Sequence, residues 1–239
     1  MGSPFLLKHF EVQHERSAMK VGTDAFILGS WLQVGEDTEH ILDVGTGCGI
    51  IALMLAQRSE ARIDAIDMDK PSVDEAALNF KNTPWHSRLS AIHSSFQDYR
   101  PDPEKKYDLI VSNPPFFNRS LLPESDRLIL AKHTISFPIE VFITKSFKFL
   151  ENNGRLAVVL PVEESVDFHK MATKVGFFEF RMLEIYPKSE KPMNRKVLVF
   201  SKSEVDNPEA ESLLIRDSGG KYTDQYKTLT RDFHAEGHV

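Results

Sequence analysis

One cysteine, Cys48, in a chain of 239 residues leaves no partner for an internal disulfide and too few thiols for a multi-cysteine zinc site. A reducing compartment, the cytosol, is the resulting expectation. No stretch reaches about 18 consecutive apolar residues, so no membrane-spanning helix is expected, and the opening residues lack the pattern of a secretory signal. A basic excess is missing as well: 29 Lys and Arg stand against 35 Asp and Glu, for a net charge of −6. That argues against indiscriminate nucleic-acid binding but leaves room for a local basic face. The nine histidines show no H-E-x-x-H spacing, and neither a Walker sequence nor a G-x-S-x-G elbow occurs. No metal is expected.

What the chain does have is the alternation of an α/β protein. His40-Ile41-Leu42-Asp43-Val44 is a short apolar run that predicts a strand. It leads through Gly45-Thr46-Gly47-Cys48-Gly49 into the apolar helix pattern Ile50–Ala56. A strand, a glycine-rich turn and a helix open a nucleotide-binding unit: the glycines allow close backbone approach, and the helix start offers free N–H groups. The G-x-G-x-G spacing differs from the G-x-G-x-x-G of dinucleotide enzymes. Arg62–Asp67 predicts the second strand, and Asp67 falls near the offset of roughly 20 residues at which an acid holds ribose hydroxyls. Met68 adjoins it, while Asp69 reads as the cap of a helix over Ser72–Asn82. Leu89–His93 predicts a third strand, whose end brings Ser95, Phe96 and Asp98 forward as candidates to read and cover an adenine; the residues alone do not choose among them.

Tyr107–Ser112 predicts the fourth strand, and Asn113-Pro114-Pro115-Phe116 stops it. Prolines cannot continue a ladder, and the residue before a proline is pushed to extended or turn geometry. Asn113 is thereby held at a strand end. An amide, two rigid prolines and an aromatic suit a planar group bearing NH2, with two acceptors for the amino hydrogens and a ring for the flat face. Asn-Pro is equally a common turn pair.

Towards the termini, an extended pair is expected within 5–14 and a helix over 25–32, capped by Thr23 or Asp24. Helices over 137–150 and 162–175, strands over 155–161, 177–186 and 196–201, and a short helix within 222–230 complete the pattern. Residues 181–202 carry six basic side chains against two acidic ones. Lys188, Lys191 and Arg195 make this a candidate RNA-facing edge, with a solvated hairpin tip as the alternative. Arg119, in the polar segment 117–136, is a further candidate phosphate contact.

Asp43–Gly49, Ile66-Asp67 and Asn113–Phe116 together resemble the motifs of class I S-adenosylmethionine-dependent methyltransferases. Met19-Lys20-Val21-Gly22-Thr23-Asp24 and the tail residues Tyr222, Thr223, Tyr226, Leu229, Asp232 and Phe233 are similar to the bacterial tRNA1(Val) adenine-37 N6-methyltransferase family. The resemblance implies a Rossmann-like α/β fold: a seven-stranded, mostly parallel sheet with helices on both faces and an antiparallel C-terminal strand. It implies one domain over 39–239, with residues 1–38 as an extension packing on it. It also implies S-adenosylmethionine as cofactor, held by Lys20, Thr23, Asp43, Gly45, Gly47, Gly49, Asp67, Met68, Ser95, Phe96, Asp98 and Asn113. Asn113, Pro114, Pro115 and Phe116 become the catalytic set, and the anticodon loop of a tRNA the partner, with neither DNA nor a membrane involved. Where relatives often carry an acid at the third strand's end, this chain has Ser95, which leaves Asp98 as a substitute. The rival activities, glutamine methylation of release factors and guanine-N2 methylation of ribosomal RNA, belong to enzymes with added domains that the extension here is too short to supply.

Overall fold

A computed structural model describes residues 3–114 and 138–234. Its centre is a sheet in which the apolar runs of the sequence become parallel strands. These are β3 (His40–Val44), β4 (Arg62–Asp67), β5 (Leu89–His93), β6 (Tyr107–Ser112) and β7 (Leu150–Pro161). Two more, β8 (Phe178–Tyr186) and β9 (Arg195–Ser201), form an antiparallel pair, with β9 inserted between β7 and β8. The spatial order is β10-β8-β9-β7-β6-β3-β4-β5. Among the described residues the sheet therefore has eight strands where the sequence predicts seven. The additional one, β10 (Glu209–Leu214), pairs parallel to β8 at the edge. Four of its six residues are exposed and only Leu213 is buried, so it carries no apolar run to announce it.

Alternation along the strands divides the core in two, as a pleated sheet requires. Ile41, Ile63, Leu109, Val111, Ala157 and Val159 point to one face, where α1 (Thr23–Trp31), α2 (Ile50–Arg58) and α3 (Lys70–Lys81) contribute the covering side chains. Leu42, Val44, Ile110, Leu156, Val158 and Leu160 point to the other, under Phe142 and Ile143 of α4 (Ile139–Phe149) and Phe168 and Ala172 of α5 (Val162–Val175). Burial of these two layers is the main stabilising term, at roughly 25 cal/mol per Å2 of apolar area. No helix among the described residues is long and apolar enough to cross a membrane.

The N-terminal residues make a two-stranded hairpin, β1 (Phe5–Leu6) with β2 (Glu11–Val12). Leu7 bridges His234, and Lys8 N–H donates to the Phe233 carbonyl at 2.9 Å, so the two ends of the described chain meet. Phe233 is buried against Phe26 of α1, beyond the short helix α6 (Asp224–Thr230). The cap of α1 differs from the sequence expectation. Gly22 occupies the N-cap without a side-chain bond, which places Thr23 and Asp24 inside the first turn. Asp24 is then well placed for the positive end of the helix dipole, and its carboxylate reaches across to Arg195 at 2.9 Å.

Candidate active site

Chain order reverses between β3 and β6. From β3 the chain winds outward through β4 and β5, then returns to β6 on the other side and continues to β7. In an open parallel sheet, ligands bind beyond the strand ends at such a reversal. Val44 lies opposite Ser112, and the Ser112 hydroxyl donates to the Val44 carbonyl at 2.7 Å. The next residues, Gly45 on one strand and Asn113 on the other, therefore emerge side by side.

The turn after β3 is built from its own amides. Gly45 and Thr46 N–H both donate to the Ile66 carbonyl, at 2.9 and 3.0 Å, and Gly47 N–H donates to Asp67 Oδ2 at 2.8 Å. Gly45 and Gly47 take positive φ, 72° and 56°, and a Cβ on either would meet no atom within 4 Å. A cradle whose inner wall is bare backbone suits a ligand that must lie close to it.

Beyond the turn opens a cavity of about 320 Å3, within the size range of small-molecule sites. Its walls include Lys20, Thr23, Asp24, Gly45, Gly47, Asn113, Pro114, Val159, Pro161 and Arg195. Lys20, Thr23, Gly45, Gly47 and Asn113 thus come together on one wall, whereas Asp43, Gly49, Asp67, Met68, Ser95 and Asp98 are not part of the cavity lining. Arg195 does not lie at a free edge: it is drawn into this wall by Asp24. Val159 and Pro161, from the end of β7, went unremarked in the sequence, where a buried strand ending in proline was the available signal.

Asp43 lies fully buried behind the turn. Thr46 hydroxyl donates to its Oδ2 at 2.6 Å, while Oδ1 is buried with no hydrogen-bond partner. Burial pushes this carboxyl up to about 7, against the lowering effect of the Thr46 bond. Burial also raises Asp67, opposed by the N–H groups of Asp69 and Gly47 that its two oxygens accept. Asp67 remains partly exposed, and a carboxylate has lone pairs to spare for ribose hydroxyls. Met68 beside it is half exposed. Gly49 is the N-cap of α2, packed on Phe80. Cys48 is buried and its thiol is pushed up to about 12, so it stays neutral.

The candidates at the end of β5 separate. Phe96 is buried among Phe142 and Phe149 in the second core layer. Ser95 and Asp98 stay at the surface in one turn, where the Ser95 hydroxyl donates to Asp98 Oδ2 at 2.6 Å. The turn is held from below by Lys145, whose ammonium donates to the carbonyls of Phe96, Gln97 and Tyr99 at 2.6, 2.9 and 3.0 Å. Pro115, Phe116 and Arg119 lie outside the described residues. Lys188 and Lys191 sit on the connection between β8 and β9, away from the cavity lining.

The sequence matches the family described as methyltransferase small domain over residues 25–181. The chain belongs to that family. This methyltransferase is also 38% identical, over 96% of its length and 98% of the relative's, to a Flavobacterium johnsoniae protein named tRNA1(Val) (adenine(37)-N6)-methyltransferase. A Bacteroides fragilis protein of the same name is 39% identical, with 98% and 99% covered. Among solved structures, a predicted O-methyltransferase from Agrobacterium tumefaciens superposes with a TM-score of 0.66 at 16% identity, covering 89% of this chain and 98% of that one. A methyltransferase from Pyrococcus furiosus superposes with a TM-score of 0.59 at 19% identity, with 82% and 90% covered. These two establish the fold.

The residues present fit the methyl donor, S-adenosylmethionine. The bare glycine cradle on the cavity wall leaves room for a close-lying ligand, and the partly exposed Asp67 accepts the Gly47 N–H of the same turn.

Proposed function

We propose that this methyltransferase modifies the exocyclic N6 of an adenine in RNA, with adenine 37 in the anticodon loop of tRNA1(Val) as its substrate, in the cytoplasm. The observation that carries the reading is the position of Asn113: at the end of β6, beside the glycine turn and on the wall of the same cavity. The full-length relatives that bear the tRNA name support the choice of substrate.

S-adenosylmethionine, when bound, supplies a methyl group already activated by its sulfonium. The protein has to place the nucleophile. The N6 lone pair is shared with the purine ring, so accepting both amino hydrogens, at Asn113 Oδ1 and the Pro114 carbonyl, returns electron density to nitrogen and aims it into the cavity. Phe116 is assigned to cover the base. Transfer would join the methyl carbon to the nitrogen as the carbon–sulfur bond breaks, and the nitrogen's proton would leave to water, so no histidine base is required. An anticodon-loop adenine suits this pocket because leaving the stack costs a few kcal/mol at most in a single-stranded loop. Lys20, Thr23, Asp43, the glycine turn, Asp67 and Met68 are assigned to the cofactor, and Ser95 with Asp98 to its adenine edge.

Transfer of tritiated methyl from S-adenosylmethionine to tRNA lacking the modification tests the reading. Native protein is expected to place label in N6-methyladenosine. Asn113→Ala is expected to lose about 10²–10³-fold in rate, the usual effect of removing one polarising group, while still binding the cofactor. Label appearing in a release-factor glutamine or a ribosomal guanine instead overturns it.

A further inference from the structure

We infer that the loops 187–194 and 215–223 form a single ledge that takes the phosphate backbone of the RNA; the inference rests on the RNA reading above. The sheet topology makes the argument. β8 and β10 run parallel, with Tyr186 opposite Leu214, so both leave the sheet at one edge. β9 is antiparallel and begins at that edge, with Arg195 opposite Pro161 at the end of β7. β7 in turn runs parallel to β6, which ends at Ser112 next to Asn113. Both loops therefore open on the same side of the sheet as the catalytic amide.

The loops are fastened to one another. Ile215 N–H donates to the Tyr186 carbonyl at 2.9 Å, and Ser189 N–H to the Arg216 carbonyl at 3.1 Å. Asn194 N–H donates to the Ile185 carbonyl at 3.1 Å, closing the root of the first loop. In the second, Arg216 and Tyr222 form a bridge, the Arg216 guanidinium lies 3.8 Å from the Tyr222 ring centroid, and it donates to the Gly220 carbonyl at 2.7 Å. Tyr222 stacks in turn on Tyr226. The ledge is pre-shaped, which lowers the ordering cost of binding.

Its charge is available. Lys188, Lys191, Arg216 and Lys221 stand against Glu190 and Asp217 on these loops, in a protein of net charge −6. None of the four cations forms an ion pair among the described residues, whereas Arg195 and Lys196, at the base of the first loop, are committed to Asp24 and Glu184. Cations without an ion pair, on the side of the sheet where Asn113 emerges, complement a polyanion, and phosphate contacts set register without reading sequence. This places the two loops as a positioning surface, with base choice left to the Asn113 pocket.

The test compares native protein with the triple variant Lys188→Ala, Lys191→Ala, Lys221→Ala. Affinity for a tRNA1(Val) transcript is measured across a salt series, together with S-adenosylmethionine binding and the thermal midpoint. The variant is expected to keep its midpoint and its cofactor affinity. Its slope of log affinity against log salt is expected to fall by about 2–3, roughly 0.7–0.9 for each phosphate that is no longer neutralised. A control variant at the opposite end of the strands, Lys106→Ala with Lys148→Ala, is expected to keep the native slope. Unchanged slope and affinity in the triple variant overturn the ledge while leaving the RNA reading intact. Absence of salt-dependent tRNA binding by the native protein overturns the RNA reading, and the ledge falls with it.

Discussion

Ser17 gives both its backbone N–H and its hydroxyl to one oxygen of Glu75, at 2.9 and 2.5 Å. The other oxygen accepts the N–H groups of Glu15 and Arg16, each at 2.9 Å. Nearby on α3, Asn79 exchanges hydrogen bonds with both backbone groups of Gln13 and donates to the Cys48 carbonyl in the glycine turn. One helix face thus grips the cofactor turn and also the strap that delivers Lys20 and Thr23 to the cavity wall.

Glu75→Ala leaves three backbone donors without their acceptor, and the expected loss of stability is about 2–4 kcal/mol. Hydrogen exchange at the amides of Glu15, Arg16 and Ser17 should rise well above that of the core strands, and cofactor affinity should fall about tenfold, or 1.4 kcal/mol. Burial alone would raise the Glu75 carboxyl, but the bonds from Arg16, Ser17 and Glu15 outweigh it and hold it below its ordinary value. A depressed carboxylate stabilises fully above the unfolded value, near 4.5, and loses that contribution as pH falls through the folded one. Protection of the strap amides is expected to persist at neutral pH and fade first as the solution is acidified below that range.

The glycine turn predicts two different failures. A Cβ on Gly49 would sit 2.5 Å from Phe80 Cε1 at a φ of 86°, so Gly49→Ala is expected to lower stability by about 2–4 kcal/mol through overpacking and left-handed strain. Gly45→Ala meets no atom within 4 Å. Its stability cost is expected to stay near 1–2 kcal/mol, the left-handed penalty alone, while the added methyl group closes the cradle to the cofactor. Thermal unfolding and calorimetric titration of S-adenosylmethionine separate the two.

With Asp43 assigned to the cofactor, cofactor binding is expected to depend on pH. Burial pushes the Asp43 carboxyl up to about 7, against 3.8 for an ordinary aspartate. A carboxyl raised in this way favours the folded state below 3.8 and loses that contribution as pH climbs to about 7. A cationic ligand prefers the ionised form, so affinity for S-adenosylmethionine is expected to rise as pH passes through 7, with proton release at lower pH. Titrations in two buffers of different ionisation enthalpy read the proton count, and Asp43→Asn should flatten the dependence.

Arg195 is expected to separate donor from acceptor binding. Because it pairs with Asp24 on the cavity wall, Arg195→Ala is expected to weaken S-adenosylmethionine binding by about three- to tenfold, the scale of a partly exposed ion pair near 1 kcal/mol. Its tRNA salt slope should match the native one. A lowered slope with unchanged cofactor affinity would return Arg195 to the RNA side.

The parts legible in the sequence were those whose physics repeats. β3, β4, β6 and the second half of β7 are buried runs, and the glycine turn with Asn113 follows from chemistry that few other residues can supply. β10 escaped because an edge strand needs one buried side chain, and its acids Glu209 and Glu211 serve Arg181 instead. Phe96 could equally cover a ligand or join a core; the aromatic residues of α4 and the ammonium of Lys145 decided that. The grip of Glu75 on the strap left no trace, since three of its four partners are backbone N–H groups, which every residue but proline possesses. The inward turn of Arg195 depended on a partner 171 positions away.

The reversed strand of the central sheet, β9, has a consequence for how such a protein can change. Its first residue is pinned to the cofactor wall and its neighbours are locked in register with β7 and β8, yet the loop that precedes it hangs free of both cores. None of residues 187–194 lines the cavity or belongs to either hydrophobic layer. On the proposed ledge, phosphate contacts can therefore drift over generations while the methyl-donating half stays constant, because the chain enters β9 through a segment tied to the 215–223 loop and to neither core.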